Sequence, residues 1–178
     1  MSDDRLIELR VENRRLKQEV ENLENKILTL VGNVEIEISG GSNNNNLIND
    51  DIINLLGSTN NHLNILTPKI DRFYTNELKN LIKKGFEIRV VTLERSNIPS
   101  EFLEYYDELK NERKIKIINN PNVNCLLVFN EKEAIYTQGS LDKRELQQSI
   151  LIETKVKSIT TLETIREFFN IFLPSFMR

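Results

Sequence analysis

The sequence is poor in the residue types that build disulfides and transition-metal centres. It contains one cysteine, Cys125, and one histidine, His62. A single cysteine excludes an internal disulfide, and the two residues together are too few for a Cys/His zinc site, which uses four ligands. We therefore expect no bound metal and no cofactor.

Long apolar runs are also missing, and neither a signal peptide nor a membrane-spanning segment is recognisable. The net charge of −3 argues against a dedicated nucleic-acid surface, because such surfaces gain most of their affinity by neutralising phosphates. We expect a cytoplasmic protein that binds neither a membrane nor nucleic acid directly.

Residues 5–31 carry a heptad pattern, the strongest signal in the chain. Leucines recur every seven residues at the positions called d, and a second set with one asparagine recurs at a. Leucine at d, β-branched residues at a and a single buried asparagine together favour two parallel strands. We predict a parallel coiled coil over residues 1–32 that forms a homodimer, followed by one domain over residues 33–178. The predicted dimer interface contains Leu6, Leu9, Asn13, Leu16, Val20, Leu23, Ile27 and Leu30.

The charges beside this interface leave other pairings open. In a parallel homodimer Arg5 would face Arg10 and Glu19 would face Glu24, and each such exposed pair changes stability by only tenths of a kcal/mol. A different protein partner or an antiparallel partner would also suit the coil. A further alternative is an amphipathic helix that packs on its own domain.

Beyond residue 32 the apolar patterns alternate between strand and helix. Early alternation predicts parallel strands, and a later run of strands predicts an antiparallel part, so we expect an α/β fold with a mixed sheet flanked by helices. The last helix is predicted to begin at Thr160, in a capping box that ends at Glu163. It should bury Leu162, Ile165, Phe168, Phe169 and Phe172. The predicted strands are 34–39, 63–66, 86–93, 114–119, 123–130, 134–138 and 149–153, and the earlier predicted helices are 48–56, 72–84 and 98–109.

Three segments combine strand-like residues with polar flanks. They are Ile-Leu-Thr-Pro-Lys-Ile at 65–70, Lys-Lys-Gly-Phe-Glu-Ile-Arg-Val-Val-Thr at 83–92 and Val-Asn-Cys-Leu-Leu-Val-Phe-Asn-Glu at 123–131. In this order they resemble one half of the phospholipase D superfamily fold, and the resemblance covers roughly residues 33–173. The resemblance implies a phosphodiesterase scaffold. Superfamily members with a single catalytic motif pair two copies of the chain across a twofold axis.

The superfamily signature is His-x-Lys-x4-Asp followed by Gly-Ser-x-Asn. The matching positions here are Asn124, Leu126 and Glu131, then Gly-Ser-Leu-Asp at 139–142. In the superfamily the histidine attacks phosphorus and the lysine neutralises the phosphate. An amide and an alkyl chain supply neither function, and His62 is expected in a turn before a strand. The resemblance therefore implies a pseudoenzyme.

Similar inactive domains follow a coiled coil in the archaeal sugar-responsive regulators of the TrmB type, which implies a sensor of a small polar ligand. No winged helix precedes the coil in this sequence, so we expect any role at DNA to need a partner.

The leading hypothesis is a catalytically inactive binding or scaffolding module. Its rivals are a phosphodiesterase or nuclease with rearranged catalytic residues, and a partner subunit of a transcription regulator. The candidate residues could also be ordinary polar groups of strands and turns. The candidate cleft comprises Thr67, Asn124, Glu131, Gln138, Ser140 and Asp142.

Overall fold

The chain divides into two compact units, Met1–Val34 and Glu35–Arg178. The computed structural model describes residues 12–20, 22–23, 27, 33–40 and 48–174. No helix in these ranges is both long enough and apolar enough to cross a membrane.

The N-terminal unit is helical at residues 12–20, 22–23 and 27. Four apolar residues of the predicted interface, Leu16, Val20, Leu23 and Ile27, are each between 51% and 57% exposed. Asn13 is helical and exposed as well. The remaining predicted interface residues, Leu6, Leu9 and Leu30, lie outside the described residues. The coiled-coil dimer stays a prediction.

From Val34 onward, the described residues form seven strands and five α-helices. Two 3-10 turns, Arg95–Asn97 and Ser100–Phe102, lead into the third helix. The strands are β1 (Val34–Ser39), β2 (His62–Leu66), β3 (Glu87–Thr92), β4 (Ile115–Asn119), β5 (Cys125–Phe129), β6 (Ala134–Gln138) and β7 (Leu151–Val156). The helices are α1 (Ile48–Ser58), α2 (Arg72–Lys83), α3 (Leu103–Lys110), α4 (Lys143–Gln148) and α5 (Ile159–Ile171).

All seven strands form one mixed sheet in the order β1-β7-β6-β5-β2-β3-β4. Strands β2, β3 and β4 are parallel, because a helix connects each to the next. Strand β5 runs antiparallel to β2, and β6 runs antiparallel to both β5 and β7. The predicted mixed α/β sheet is therefore confirmed.

Each face of the sheet packs its own hydrophobic core. Residues from α1, α2, α3 and α4 cover one face, where Ile52, Leu78 and Leu126 are fully buried. Helix α5 covers part of the other face through Phe169, whose ring meets that of Phe129 edge-on at 5.3 Å. Strands buried on both faces explain the nearly continuous apolar runs in the sequence.

The sequence-based account needs four corrections at the C-terminal end of the domain. Helix α4 was not predicted, and β7 covers Leu151–Val156 instead of 149–153. Helix α5 begins earlier than Thr160, because the Ser158 side chain caps it by accepting a hydrogen bond from the Thr161 backbone N–H. Phe168 is 48% exposed, since its neighbour Phe169 occupies the buried side of the helix.

Candidate functional site

A polar cleft of about 490 Å³ opens where β2 ends and β6 leads into α4. The strand register explains this position, because Cys125 pairs with Gln138 and so the start of β5 lies beside the end of β6. The loop after β2 forms the third side. The lining residues are Pro68, Lys69, Asn124, Gly139, Ser140, Asp142, Arg144, Glu145, Gln148 and Ser149.

The two main segments of the cleft are tied together by hydrogen bonds that are buried or partly buried. Thr67 is fully buried, and its hydroxyl accepts a hydrogen bond from the Leu141 backbone N–H at 2.9 Å and donates one to the Lys69 carbonyl at 2.8 Å. The Asp71 carboxylate accepts from the Lys143 backbone N–H at 2.9 Å. These bonds fix the loop after β2 against the start of α4, so the cleft is built on a rigid frame.

Gly139 allows the turn from β6 into the cleft. Its φ of +105° lies in the region that residues with a side chain avoid, and a Cβ there would come within 2.9 Å of Glu145 Oε1. The glycine that this chain shares with the superfamily signature therefore has a structural reason at this position.

Charged groups pair with one another across the cleft. Lys69 Nζ lies 3.1 Å from Asp142 Oδ2 and 3.4 Å from Glu145 Oε2, and the Ser140 hydroxyl donates to Glu145 Oε2 at 2.5 Å. Partial burial disfavours the ammonium charge, but the hydrogen bond and charge of Asp142 and the charge of Glu145 outweigh it and raise the pKa of Lys69. Lys69 therefore carries a full positive charge, and the carboxylates of Asp142 and Glu145 balance that charge.

The outer rim of the cleft is uncharged apart from Arg144. The Arg144 side chain donates through Nε to the Gln148 side-chain oxygen at 3.3 Å, and Asn124 and Ser149 complete the rim. Amides, hydroxyls and a guanidinium make this lining able to donate and accept several hydrogen bonds to a small molecule.

The structure brings together three of the six residues proposed for the site. Asn124, Ser140 and Asp142 line the cleft. Thr67 lies beneath it and acts through the backbone it holds. Gln138 ends β6 beside the cleft and is exposed, outside the lining.

Glu131 is not brought to the cleft. It lies in the hairpin at the opposite end of β5, where its carboxylate accepts hydrogen bonds from the backbone N–H groups of Asn61 and His62 at 3.2 Å and 3.0 Å. Partial burial of the carboxylate raises the pKa of Glu131, but the hydrogen bonds from backbone N–H groups together outweigh it and lower the pKa. Leu126 is fully buried in the hydrophobic core, and His62 begins β2 at the far end from the cleft.

Sequence reasoning missed Lys69, Arg144, Glu145, Gln148 and Ser149. Four of them belong to α4 or follow it, and that helix was not predicted. A signal was present, because the Asp142 carboxylate caps α4 by accepting from the backbone N–H groups of Arg144 and Glu145. An aspartate followed three residues later by glutamate is a helix start signal.

A second polar cluster lies on the same face of the sheet as α1. The Lys155 ammonium contacts Asp51 at 2.9 Å, Glu37 at 3.1 Å and Glu153 at 3.9 Å. The three carboxylates lie close enough together to hold one cation between them. The Lys155 ammonium, which contacts all three, supplies that cation. The pKa of Glu153 is raised to about 7, mainly by burial of the carboxyl group and next by the negative charge of Asp51.

Neither a family model nor a curated protein matches this sequence. Solved structures do match. NucT from Helicobacter pylori superimposes with a TM-score of 0.61 and 11% identity, over 78% of this chain and 95% of that one. Nuc from Salmonella typhimurium, a phospholipase D family member, has a TM-score of 0.64 and 10% identity, over 78% of this chain and 93% of that one.

A third similar structure is TrmBL2, an archaeal chromatin protein that binds DNA. It matches with a TM-score of 0.52 and 14% identity, over 95% of this chain and 63% of that one. The superpositions show a common fold, and at identities this low they show nothing beyond the fold. The fold that the sequence resemblance implied is therefore confirmed.

Proposed function

Because the chain has a phospholipase D-like fold, we propose that it is a non-catalytic binding module that takes a polar small molecule in its cleft. The proposal includes a dimer through residues 1–32, with the binding domain at 33–178. One observation carries it. The cleft is lined by Asn124, which the motif match aligns with the nucleophile of the superfamily, and its less exposed cation, Lys69, is already bonded to Asp142 and Glu145.

The absence of a suitable imidazole supports the non-catalytic role. His62 is the one histidine of the chain, and it begins β2 at the end of the strand away from the cleft. Residues 123–131 contain neither histidine, lysine nor arginine, so shifting the motif alignment by one or two positions does not restore the signature. Without a nucleophile, a phosphohistidine intermediate has no place to form.

The charge of the cleft supports an uncharged polar ligand. Lys69 and Arg144 are balanced by Asp142 and Glu145, so the lining carries no net charge. A phosphodiester would lie against two carboxylates and would gain little from a lysine that they already neutralise. Hydroxyl groups of a sugar-like molecule, in contrast, match the amides and hydroxyls of the rim.

The proposed dimer draws support from the N-terminal helix. Leu16, Val20, Leu23 and Ile27 stay about half exposed within the chain, although apolar residues at this spacing normally form a buried stripe. Pairing with the same stripe of a second helix would remove them from water.

A thermal-shift screen tests the binding role. Neutral sugars, inorganic phosphate and nucleotides are each titrated against the full chain and against Arg144→Ala. A ligand at a hundred times its dissociation constant stabilises by about 2.7 kcal/mol. We expect a neutral sugar to raise the melting temperature of the unchanged protein, and Arg144→Ala to weaken that rise.

The matched control for this screen is Arg166→Ala, which removes an exposed arginine from α5, away from the cleft lining. It should leave the ligand effect unchanged. Stabilisation by phosphate or nucleotides alone would contradict the proposed ligand chemistry, and equal losses in both variants would show that the ligand binds elsewhere.

A second candidate function, a partner subunit of a DNA-associated regulator, is favoured by one observation. The likeness to TrmBL2 covers 95% of this chain, against 78% for NucT and for Nuc, so it extends into the N-terminal residues. A mobility-shift assay with double-stranded DNA tests this function. The chain alone should not shift the DNA at physiological salt, and a shift by the chain alone would support direct DNA binding instead.

A further inference from the structure

Strand β4 forms one edge of the sheet, and among the described residues its backbone pairs on one side only. The Ile88 N–H donates to the Lys114 carbonyl at 3.0 Å, and the Asn120 N–H donates to the Thr92 carbonyl at 2.8 Å. The N–H and C=O groups of one residue point the same way in a strand. The even-numbered residues of β4 therefore face β3, and the odd-numbered residues face outward.

Four backbone groups on the outer side of β4 have no hydrogen-bond partner among the described residues. They are the Ile115 C=O, the Ile117 N–H and C=O, and the Asn119 N–H. The Ile115 N–H is satisfied, since it donates to the Glu112 carbonyl at 3.1 Å. Such a row of unpaired donors and acceptors is a template on which another extended chain can add a strand.

Basic side chains accompany this open edge. Lys116 lies opposite Arg89 in the register of β3 and β4, and both point away from the face on which Ile88 enters the core. Lys114 follows the same alternation two residues earlier, and Arg113 precedes it. A strand added beside β4 would therefore run along a row of basic side chains.

The four basic groups are not compensated by neighbouring acids. Arg89 is half-buried, and Arg113, Lys114 and Lys116 are exposed. None of them forms an ion pair with a described carboxylate. This group of unpaired cations stands out in a chain whose net charge is −3, so it supplies a local attraction for carboxylates.

We propose that β4 binds an acidic peptide segment of another protein, which adds to the sheet as a further strand. The peptide backbone would pair with the four open groups, and carboxylates at alternate positions would meet Lys114 and Lys116. In this mode of recognition the main-chain hydrogen bonds supply affinity, and the alternating side chains supply specificity. The binding module thus gains a protein partner at a place separate from its cleft, because no residue of β3 or β4 lines the cleft.

The charges select this partner over two others. A second copy of the same edge would bring four more basic residues to it, and like charges on adjacent strands repel. Nucleic acid has the right sign of charge, but its backbone lacks the repeating amide groups that could satisfy Ile117 and Asn119. Lysines on an edge strand also discourage pairing with uncharged strands, so the edge discriminates by charge.

Fluorescence anisotropy with a labelled peptide of alternating glutamate and valine tests the charge requirement on the full chain. We expect Lys114→Glu/Lys116→Glu to raise the dissociation constant at least about tenfold. Both side chains are exposed, so the change should leave the fold intact. Arg14→Glu/Arg15→Glu is the matched control, because it makes the same change in charge at two exposed arginines of the N-terminal unit. The control should leave the constant unchanged.

Amide hydrogen exchange followed by NMR tests the backbone pairing. Without peptide, the Ile117 and Asn119 amides should exchange faster than those of Lys116 and Ile118, which point to β3. Bound peptide should slow exchange at Ile117 and Asn119. The same peptide N-methylated at every residue has no N–H groups to donate, and it should bind at least about tenfold more weakly.

Three results would each overturn the proposal. The first is no binding up to about 1 mM peptide. The second is binding that survives N-methylation and leaves exchange at Ile117 and Asn119 unchanged, which would show a purely electrostatic contact. The third is displacement of the peptide by single-stranded DNA of equal charge at equal concentration, which would show a nucleic-acid surface. None of these results bears on the ligand in the cleft, which the thermal-shift screen tests separately.

Discussion

Replacing Glu153 by glutamine should stabilise the protein above neutral pH, because it removes a carboxylate that the fold buries beside other carboxylates. Only 1% of Glu153 is exposed, and its Oε1 atom accepts no hydrogen bond from the described residues. Asp51 and Glu37 repel its charge, and Lys155, at 3.9 Å, compensates for only part of the cost. A proton on Glu153 relieves the repulsion and provides a donor toward Asp51.

The sign and size of the effect follow from the pKa of Glu153. It rises from an ordinary 4.5 in the unfolded chain to about 7 in the fold. The folded state therefore holds the proton more tightly, so the stability contributed by this group is fully present below pH 4.5 and is lost as pH rises through 7. That rise in pKa corresponds to about 3 kcal/mol. Glutamine resembles the protonated form at every pH, so Glu153→Gln should escape this loss.

Urea unfolding followed by circular dichroism measures the effect at fixed protein concentration, which keeps any dimer contribution constant. At about pH 4 the variant and the unchanged protein should be similar, and at about pH 8 the variant should be more stable by about 3 kcal/mol. Glu35→Gln serves as the control, since Glu35 forms a half-exposed pair with Lys157 at 3.9 Å and should matter by less than about 1 kcal/mol. A difference that is equal at both pH values would refute the assignment of this titration to Glu153.

Three further predictions address the cation of the same cluster, the coil and the chemistry of the cleft. Lys155→Met should destabilise the domain by roughly 3–5 kcal/mol near neutral pH in the same urea assay, because it leaves three neighbouring carboxylates without their cation. Leu16→Lys/Leu23→Lys should convert the dimer to a monomer in light scattering, and a monomeric unchanged protein would contradict the coil. The purified chain should not hydrolyse bis-p-nitrophenyl phosphate above a blank, and turnover that Asn124→Ala abolishes would contradict the non-catalytic role.

The sequence by itself determined the class and most elements of the fold. Apolar runs of strand length and helices with a 3.6-residue period are local properties, and they placed β1 to β6 and the first three helices close to their positions in the structure. The order of these elements dictated which strands are parallel, because a helix between two strands permits a parallel return and a short hairpin does not. Gly85 at the end of α2 has a φ of +105°, as its place after the predicted helix suggested.

Only the tertiary structure decided the composition of the cleft. The proximity of Asn124 and Ser140 could be predicted from the sequence, because a hairpin connects the strands beside them and sets the register. Lys69 could not, since it reaches Asp142 and Glu145 only after β2 pairs with β5, far along the chain. Glu131 was expected in the cleft because it matches the aspartate of the superfamily signature that begins at Asn124. A strand of five residues separates the two and carries Glu131 to the opposite end of the sheet, because extended chain rises about 3.3 Å per residue.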